Sequence, residues 1–320
     1  MSAQFLDVGV SVSARDQAIP MSAGGEISES SSDVQPPVLT NEVGGCDRPR
    51  AEIKEPEMLL KDKVAVIYGA GGAIGGAVAR SFASEGATVF VTGRQKASVE
   101  ALAKEIQSAG GSAKAAEVDA LDEKAVDKHL QAVIDKAGRV DISFNAVGVP
   151  NTKILGVPLV DIDVEQFSLA IARYTTSYFL TARLAARRMV KTKSGVIMTV
   201  TAYPARKGTR NNGGYGPAQA AKEALTRDLS TELAPQGIRV VSLRPHGIPE
   251  TSTMKEVFDI NAKPAGMSWE QFQGYLASTN HPRRGMTLEE VANMAVFMAS
   301  DKASGMTGTI VNLTMGALDD

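Results

Sequence analysis

The chain has 320 residues, 43% hydrophobic and 22% charged, with a formal net charge of −2. That composition supports a sizeable core, and the near-neutral balance argues against a dedicated partner for nucleic acid or an anionic membrane surface. A single cysteine, Cys46, excludes an internal disulfide framework and fits a reducing, cytoplasmic compartment, and no apolar run reaches the roughly 18 residues of a membrane span.

Residues 1–57 are rich in Ser, Gly, Pro and Glu, with ten acidic against four basic residues, and read as a disordered extension. Asp7 interrupts the only short apolar stretch and no basic segment precedes it, which makes a poor secretory signal. Acidic residues before Arg48 argue against a mitochondrial transit peptide. The segment reads as a floppy extension or as an upstream start with Met58 as the working one. The folded unit is expected over 58–320.

From Met58 onward, strand and helix signals alternate. Lys63 to Tyr68 is an apolar, β-branched run, as expected of a strand buried on both faces. Gly69, Gly71, Gly72 and Gly75 then let the backbone turn tightly and approach a pyrophosphate. Ala73 to Glu85 has helical periodicity, which aims the free N–H groups around Ile74 at that phosphate. Ala87 to Thr92 reads as a second strand, Gln95 to Ala109 as a helix and Ala113 to Val118 as a third strand. Asp122 to Lys136 follows as a helix, Val140 to Asn145 as a strand, Asp163 to Val190 as a long helix and Gly195 to Thr201 as a strand. Tyr215 to Leu233 is helical, Ile238 to Leu243 extended, and Pro249 to Pro282 irregular with short helices. Leu288 to Ser300 and Thr309 to Leu313 close the chain as helix and strand. Strands separated by helices of this length predict a doubly wound parallel sheet in one α/β domain of Rossmann type. His129, His246 and His281 are far apart with no ligand-like spacing, so no metal site is expected.

This order resembles the short-chain dehydrogenase/reductase family over residues 58–320. VDALDEKAV carries Asp119, the aspartate that in the family bonds the adenine. DISFNAVG matches the fourth-strand pattern, with Asn145 its first asparagine and Gly148 its glycine. EALTRDLSTELAPQGIRVVSLRP and RGMTLEEVANMAVFMASDKASGMTGTIVNLTMG match the tract after the active site and the C-terminal end. The resemblance implies a nicotinamide cofactor, a small-molecule substrate beneath a lid at about 249–282, and assembly as a homo-oligomer (dimer or tetramer). Arg183, Arg187 and Arg188 on the long helix leave that assembly open. Met254, Phe258, Met267, Trp269, Phe272 and Tyr275 in the lid suit an apolar or aromatic ligand, and equally suit ordinary helix packing. NAD-preferring members hold an acidic residue at the end of the second strand. Here that place reads Thr92-Gly93-Arg94, so no carboxylate repels a 2′-phosphate and Arg94 can pair with it. NADP(H) is favoured over NAD(H); the alternative leaves Arg94 stacked on the adenine or in solvent. Ala73 stands where the family has its middle glycine.

The family's catalytic residues carry over only in part. Tyr215 falls on the catalytic tyrosine, Gln219 on the lysine, Ala202 on the serine and Tyr174 on the asparagine, and the family's Pro-Gly after the sixth strand becomes Pro245-His246. A free tyrosine has a pKa near 10, so ionising it at pH 7 costs about 4 kcal/mol. A lysine ammonium about 4 Å away supplies on the order of 4 kcal/mol at an effective dielectric of 20. Gln219 supplies none, so Tyr215 is expected to stay protonated and to favour carbonyl or enone reduction over alcohol oxidation. Lys222, about 4.5 Å further along the helix and about 60° round it, is either a substitute ammonium or a solvent-facing helix lysine. Its spacing from Tyr215 resembles that of the divergent enoyl-acyl-carrier reductases, but the ungapped alignment gives the lysine position to Gln219. Thr201 is either a substitute for the serine hydroxyl or a structural strand residue. Tyr203 and His246 either enter the pocket as well or stay in solvent, since both lie in loops where exposure is the default. Two functions follow: an NADP(H)-dependent oxidoreductase using Tyr215, with Thr201 and Lys222 as candidate helpers, or a dinucleotide-binding protein without turnover that acts as sensor or partner subunit. A third leaves only the fold as a scaffold.

Overall fold

The computed structural model describes residues 58–319, so the extension expected over 1–57 lies outside the described residues. Seven strands, β1 (Val64–Tyr68), β2 (Thr88–Gly93), β3 (Ser112–Glu117), β4 (Ile142–Asn145), β5 (Gly195–Val200), β6 (Ile238–Pro245) and β7 (Thr309–Leu313), form one sheet. It is parallel throughout, in the order β3-β2-β1-β4-β5-β6-β7. Eight α-helices connect or follow the strands: α1 (Ala73–Ser84), α2 (Lys96–Ser108), α3 (Glu123–Ala137), α4 (Val164–Thr192), α5 (Tyr215–Leu233), α6 (Ser252–Val257), α7 (Trp269–Thr279) and α8 (Leu288–Ala299). None is long and apolar enough to cross a membrane.

Strand alternation divides the core between two faces. Ala65 and Ile67 of β1 pack with Phe82 of α1, Val99 of α2 and Val291 of α8. Val64, Val66 and Tyr68 pack on the other face with Leu130 of α3 and Tyr178 and Ala185 of α4. Both faces are covered, which is why β1 reads as a continuous apolar run.

Tyr68 pairs with Thr92 on one side and with Asn145 on the other, so the C-terminal ends of β1, β2 and β4 align. The strand order reverses between β1 and β4, and that opens a crevice beyond their C-terminal ends. Gly69 adopts φ +74° there, and a Cβ on it would lie 2.5 Å from the Ala146 carbonyl oxygen. Only glycine lets the two loops approach this closely.

Helix caps follow the same logic. Asp122 accepts from the Lys124 and Ala125 N–H groups, Asp163 from Gln166 N–H, and Thr287 with Glu290 forms a capping box on α8. At α1 the cap is Gly72, which offers no side-chain acceptor and leaves the first-turn donors open toward the crevice.

The segment 249–282 is more ordered than its sequence suggests. It holds α6, a turn of π-helix over Phe258–Ala262 and the eleven-residue α7, which opens with a Ser268–Gln271 capping box. Phe258 contacts Trp269 and Phe272 at ring-centroid distances of 5.2 and 5.7 Å. These aromatics therefore bury one another, and the packing alternative holds for them.

A buried ion pair ties α5 to β6. Arg244 Nε and Nη2 donate to Glu223 Oε1 and Oε2 at 2.7 and 2.9 Å, with both residues buried. Removing one partner strands the other charge. Glu223→Gln is expected to cost about 3–5 kcal/mol, measured as a lower midpoint in urea unfolding; a loss under about 1 kcal/mol would contradict this account.

Candidate active site

The loops after β1, β2, β4, β5 and β6 meet at the crevice with the first turn of α5. Tyr215 opens α5. Its ring meets the buried Tyr174 of α4 edge-on, 5.5 Å between centroids. Burial, with Tyr174 second, pushes the Tyr215 phenol well above its ordinary value. The phenol therefore carries its proton throughout the neutral range. Tyr174 occupies the expected asparagine place, and its hydroxyl accepts the Val149 N–H at 3.2 Å. It thereby holds the loop after β4.

Gln219 is only 2% exposed, and its Oε1 has no hydrogen-bond partner among the described residues. A buried, unpartnered acceptor one turn beyond Tyr215 fits a hydroxyl donor from a bound ligand. His246 Nδ1 is likewise unpartnered. His246 is 7% exposed, which corrects the expectation of an exposed loop residue, and burial lowers its pKa. Its ring stands edge-on to Tyr203 at 4.6 Å. Tyr203 is half-buried, and its phenol is raised first by burial and then by nearby Tyr275.

Two candidate helpers are committed elsewhere. The Thr201 hydroxyl donates to Glu223 Oε1 at 3.1 Å and approaches the Leu243 carbonyl at 3.3 Å. It belongs to the ion-pair network, which corrects its reading as a replacement for the serine. Lys222 is 1% exposed, so the solvent-facing alternative fails. Its ammonium donates to the Val200 carbonyl at 2.5 Å and lies 5.7 and 5.9 Å from the Tyr174 and Tyr178 ring centroids. Tyr174 contacts both Lys222 and Tyr215, so the ammonium is aimed at β5 and at Tyr174. Burial lowers the Lys222 pKa to about 7.

The residues expected to face a dinucleotide fall into two groups. Gly71 and Gly72 line an opening with Ala73, Ser98 and Leu102, beside the uncapped first turn of α1. Ile74 packs against the core instead, so only its backbone N–H serves the crevice. A Cβ on Gly75 would lie 2.5 Å from Gly69 O, so this glycine serves turn closure. Arg94, Asp119 and Gly148 line a second pocket, with Arg173 added from α4. Asn145 contributes indirectly: its Nδ2 donates to Thr181 at 3.0 Å and its Oδ1 accepts from Val147 N–H at 3.4 Å. The open first-turn donors and the orphaned Gln219 oxygen fit a phosphate-bearing nucleotide with ribose hydroxyls. Among the described residues, no group of three His, Cys, Asp or Glu side chains is arranged to hold a metal.

Sequence reasoning missed the Glu223–Arg244–Thr201 network. Its signal was Arg244 itself, a charge inside an otherwise apolar strand, which requires a buried partner.

Parallel strand order, glycine turn and switch-point crevice define a dinucleotide-binding α/β domain of Rossmann type. Comparison with known proteins narrows this. Residues 69–317 match a family described as enoyl-(acyl carrier protein) reductase. A 7alpha-hydroxysteroid dehydrogenase of Escherichia coli (strain K12) is 31% identical over 261 residues, covering 82% of this chain and 96% of that relative. The 3-oxoacyl-acyl-carrier-protein reductase FabG of Aquifex aeolicus (strain VF5) is 29% identical, covering 81% and 99%. Sorbitol-6-phosphate 2-dehydrogenase from Erwinia amylovora superposes with a TM-score of 0.74 at 28% identity, covering 80% of this chain and 100% of that one. A 7 alpha-hydroxysteroid dehydrogenase complexed with NADH and 7-oxo glycochenodeoxycholic acid superposes at 0.73 with 29% identity, covering 82% and 97%. The chain belongs to the short-chain dehydrogenase/reductase family of oxidoreductases.

The Lys222 shift has a definite sign. Its folded pKa lies below the unfolded value, so the unfolded chain binds more protons between about pH 7 and 10.5. Lys222 thus penalises folding as pH falls through that window and is relieved as pH rises. Relative to a Lys222→Met variant, the wild type is expected to gain stability from pH 7 to 10. A difference in melting temperature that stays constant over this range would show that the lysine is not desolvated.

Proposed function

We propose that the protein is a nicotinamide-dinucleotide-dependent oxidoreductase, favouring NADP(H), that reduces a carbonyl or enone of a small apolar substrate. The observation that carries this reading is the place of Tyr215 at the start of α5, edge-on to Tyr174, where burial favours the protonated phenol. A bound nicotinamide cofactor supplies the hydride. Tyr215 supplies the proton, donating from its hydroxyl to the oxygen that becomes negative as reduction proceeds. The open donors of the α1 first turn and the backbone of Gly71 and Gly72 hold the pyrophosphate; Asp119 and Gly148 face the adenosine, and Arg94 pairs with the 2′-phosphate. Gln219 accepts from a ribose hydroxyl through its unpartnered oxygen. Support for the cofactor class comes from the relative solved with NADH and an oxo-steroid acid. We further read the protein as a cytoplasmic homo-oligomer without a nucleic-acid or membrane partner.

A second reading rests on specific contacts. With Thr201 bound to Glu223 and Lys222 to Val200, Tyr215 has no charged helper, and the protein is then a dinucleotide-binding sensor or partner subunit. The two readings separate by turnover, because both bind dinucleotide.

Thermal-shift titration is the first test. At about 100 times its dissociation constant, NADPH is expected to add roughly 2.7 kcal/mol of stability and raise the melting temperature by several degrees. Arg94→Met is expected to weaken NADPH roughly ten- to hundred-fold and leave NADH nearly unchanged; equal losses for both would remove Arg94 from 2′-phosphate recognition. With a carbonyl or enone substrate in hand, Tyr215→Phe is expected to lower reduction at least about a hundred-fold. Binding without NADPH consumption across a broad carbonyl and enone panel favours the second reading.

A further inference from the structure

The pocket that holds Arg94 and Asp119 has a second guanidinium that no sequence motif marks. Arg94 at the end of β2 and Arg173 in α4 line it together with Asp119, Leu121, Val147 and Val149. Among the described residues, neither arginine has a hydrogen-bond or ion-pair partner. Other arginines of α4 do: Arg183 pairs with Glu123 and Arg188 with Asp127. Arg173 is half-buried. The next residue, Tyr174, accepts the Val149 N–H, which fixes this turn of α4 against the loop forming the pocket wall.

The chemistry of the walls decides what such an arginine meets. Leu121, Val147 and Val149 present apolar surface, and Asp119 is the one carboxylate among the lining residues. Asp119 Oδ1 accepts the Leu121 N–H at 3.0 Å, which orients the carboxylate at the pocket edge. At the Asp119 edge a phosphate would be repelled, which leaves the 2′-phosphate to the Arg94 side. A flat heteroaromatic base with an exocyclic amine suits the remaining groups: its faces meet apolar side chains and the Arg173 guanidinium plane, and its amine donates to Asp119.

We propose that Arg173 is an adenine-binding residue, its guanidinium lying over the base from the α4 side, while Arg94 at the end of β2 is left to the 2′-phosphate. The inference rests on the dinucleotide reading above. It makes Arg173 a determinant of affinity for the adenosine half of either cofactor, and leaves the choice between them to Arg94.

The test is isothermal titration of the full chain and of Arg173→Met with AMP, NADH and NADPH. Arg173 has no partner to lose, so the variant is expected to match the wild type in unliganded melting temperature. Its affinity is expected to fall about 2- to 30-fold, by a similar factor for all three ligands. Unchanged affinity for the three overturns the proposal, as does a loss confined to NADPH, which would make Arg173 a phosphate ligand. A wild-type chain that binds neither NADH nor NADPH overturns the dinucleotide reading itself, and the proposal with it.

Discussion

The geometry of the crevice depends on one buried ion pair. Glu223 and Arg244 meet in a two-pronged contact, and the Thr201 hydroxyl joins it. These residues belong to α5, the end of β6 and the start of the loop after β5. Each of those elements carries a candidate site position: Tyr215 and Gln219 on α5, His246 after β6, and Ala202 with Tyr203 after β5. Burying two charges costs several kcal/mol per ion, so the net contribution to stability can be small. What the pair supplies is position, since a bidentate fork tolerates little rotation or sliding. The same contact explains why Thr201, although next to the serine place, has no hydroxyl to spare.

The electrostatics of Tyr215 follow from where the positive charges go. Arg244 is neutralised by Glu223, and Lys222 has the Val200 carbonyl and two tyrosine rings as neighbours. Lys222 stands seven helical steps beyond Tyr215, which sets their Cα atoms about 10.5 Å apart along the axis. Over about 10 Å at an effective dielectric of 20, a unit charge contributes roughly 1.7 kcal/mol. That is less than half of what a lysine about 4 Å away would give, and Lys222 is only partly charged at neutral pH. Neither cation offsets the cost of a buried phenolate. The asymmetry between giving and taking a proton is therefore a property of the packing around Tyr215, and the substitution at Gln219 is one part of it.

Much of the fold was legible in the sequence, because β1, β2, β4, β5 and β6 are buried on both faces and read as apolar runs bounded by glycine or helix caps. The glycine turn was legible for a related reason: tight backbone approach at Gly69 admits no side chain. The inner face of α5 was not. Its buried residues include Gln219, Lys222, Glu223, Thr226 and Ser230, so the inward stripe is polar and apolar periodicity cannot mark it. A hydropathy reading sends Lys222 to solvent, whereas Lys222 lies about seven residues round from Tyr215, close to the same face. In 249–282, α7 escaped because the aromatics that stabilise it contact Phe258, which precedes it in the chain across a turn. Arg173 carries no motif at all. Only the assembled pocket brings it to Arg94.

The place after β2 raises a final point about selectivity. A Cβ at Gly93 would approach Val99 Cγ1 to 3.1 Å, so a side chain there asks a few tenths of an ångström of the α2 valine. An acidic residue at that position is therefore a tight fit that a small shift relieves. The lack of a carboxylate by itself removes repulsion of a 2′-phosphate without creating attraction. Attraction needs a cation with no other engagement, and Arg94, the next residue, has no partner among the described residues. On the proposed reading, discrimination between the two cofactors thus turns on the reach and freedom of one guanidinium, a narrower basis than the strand-end motif alone implies.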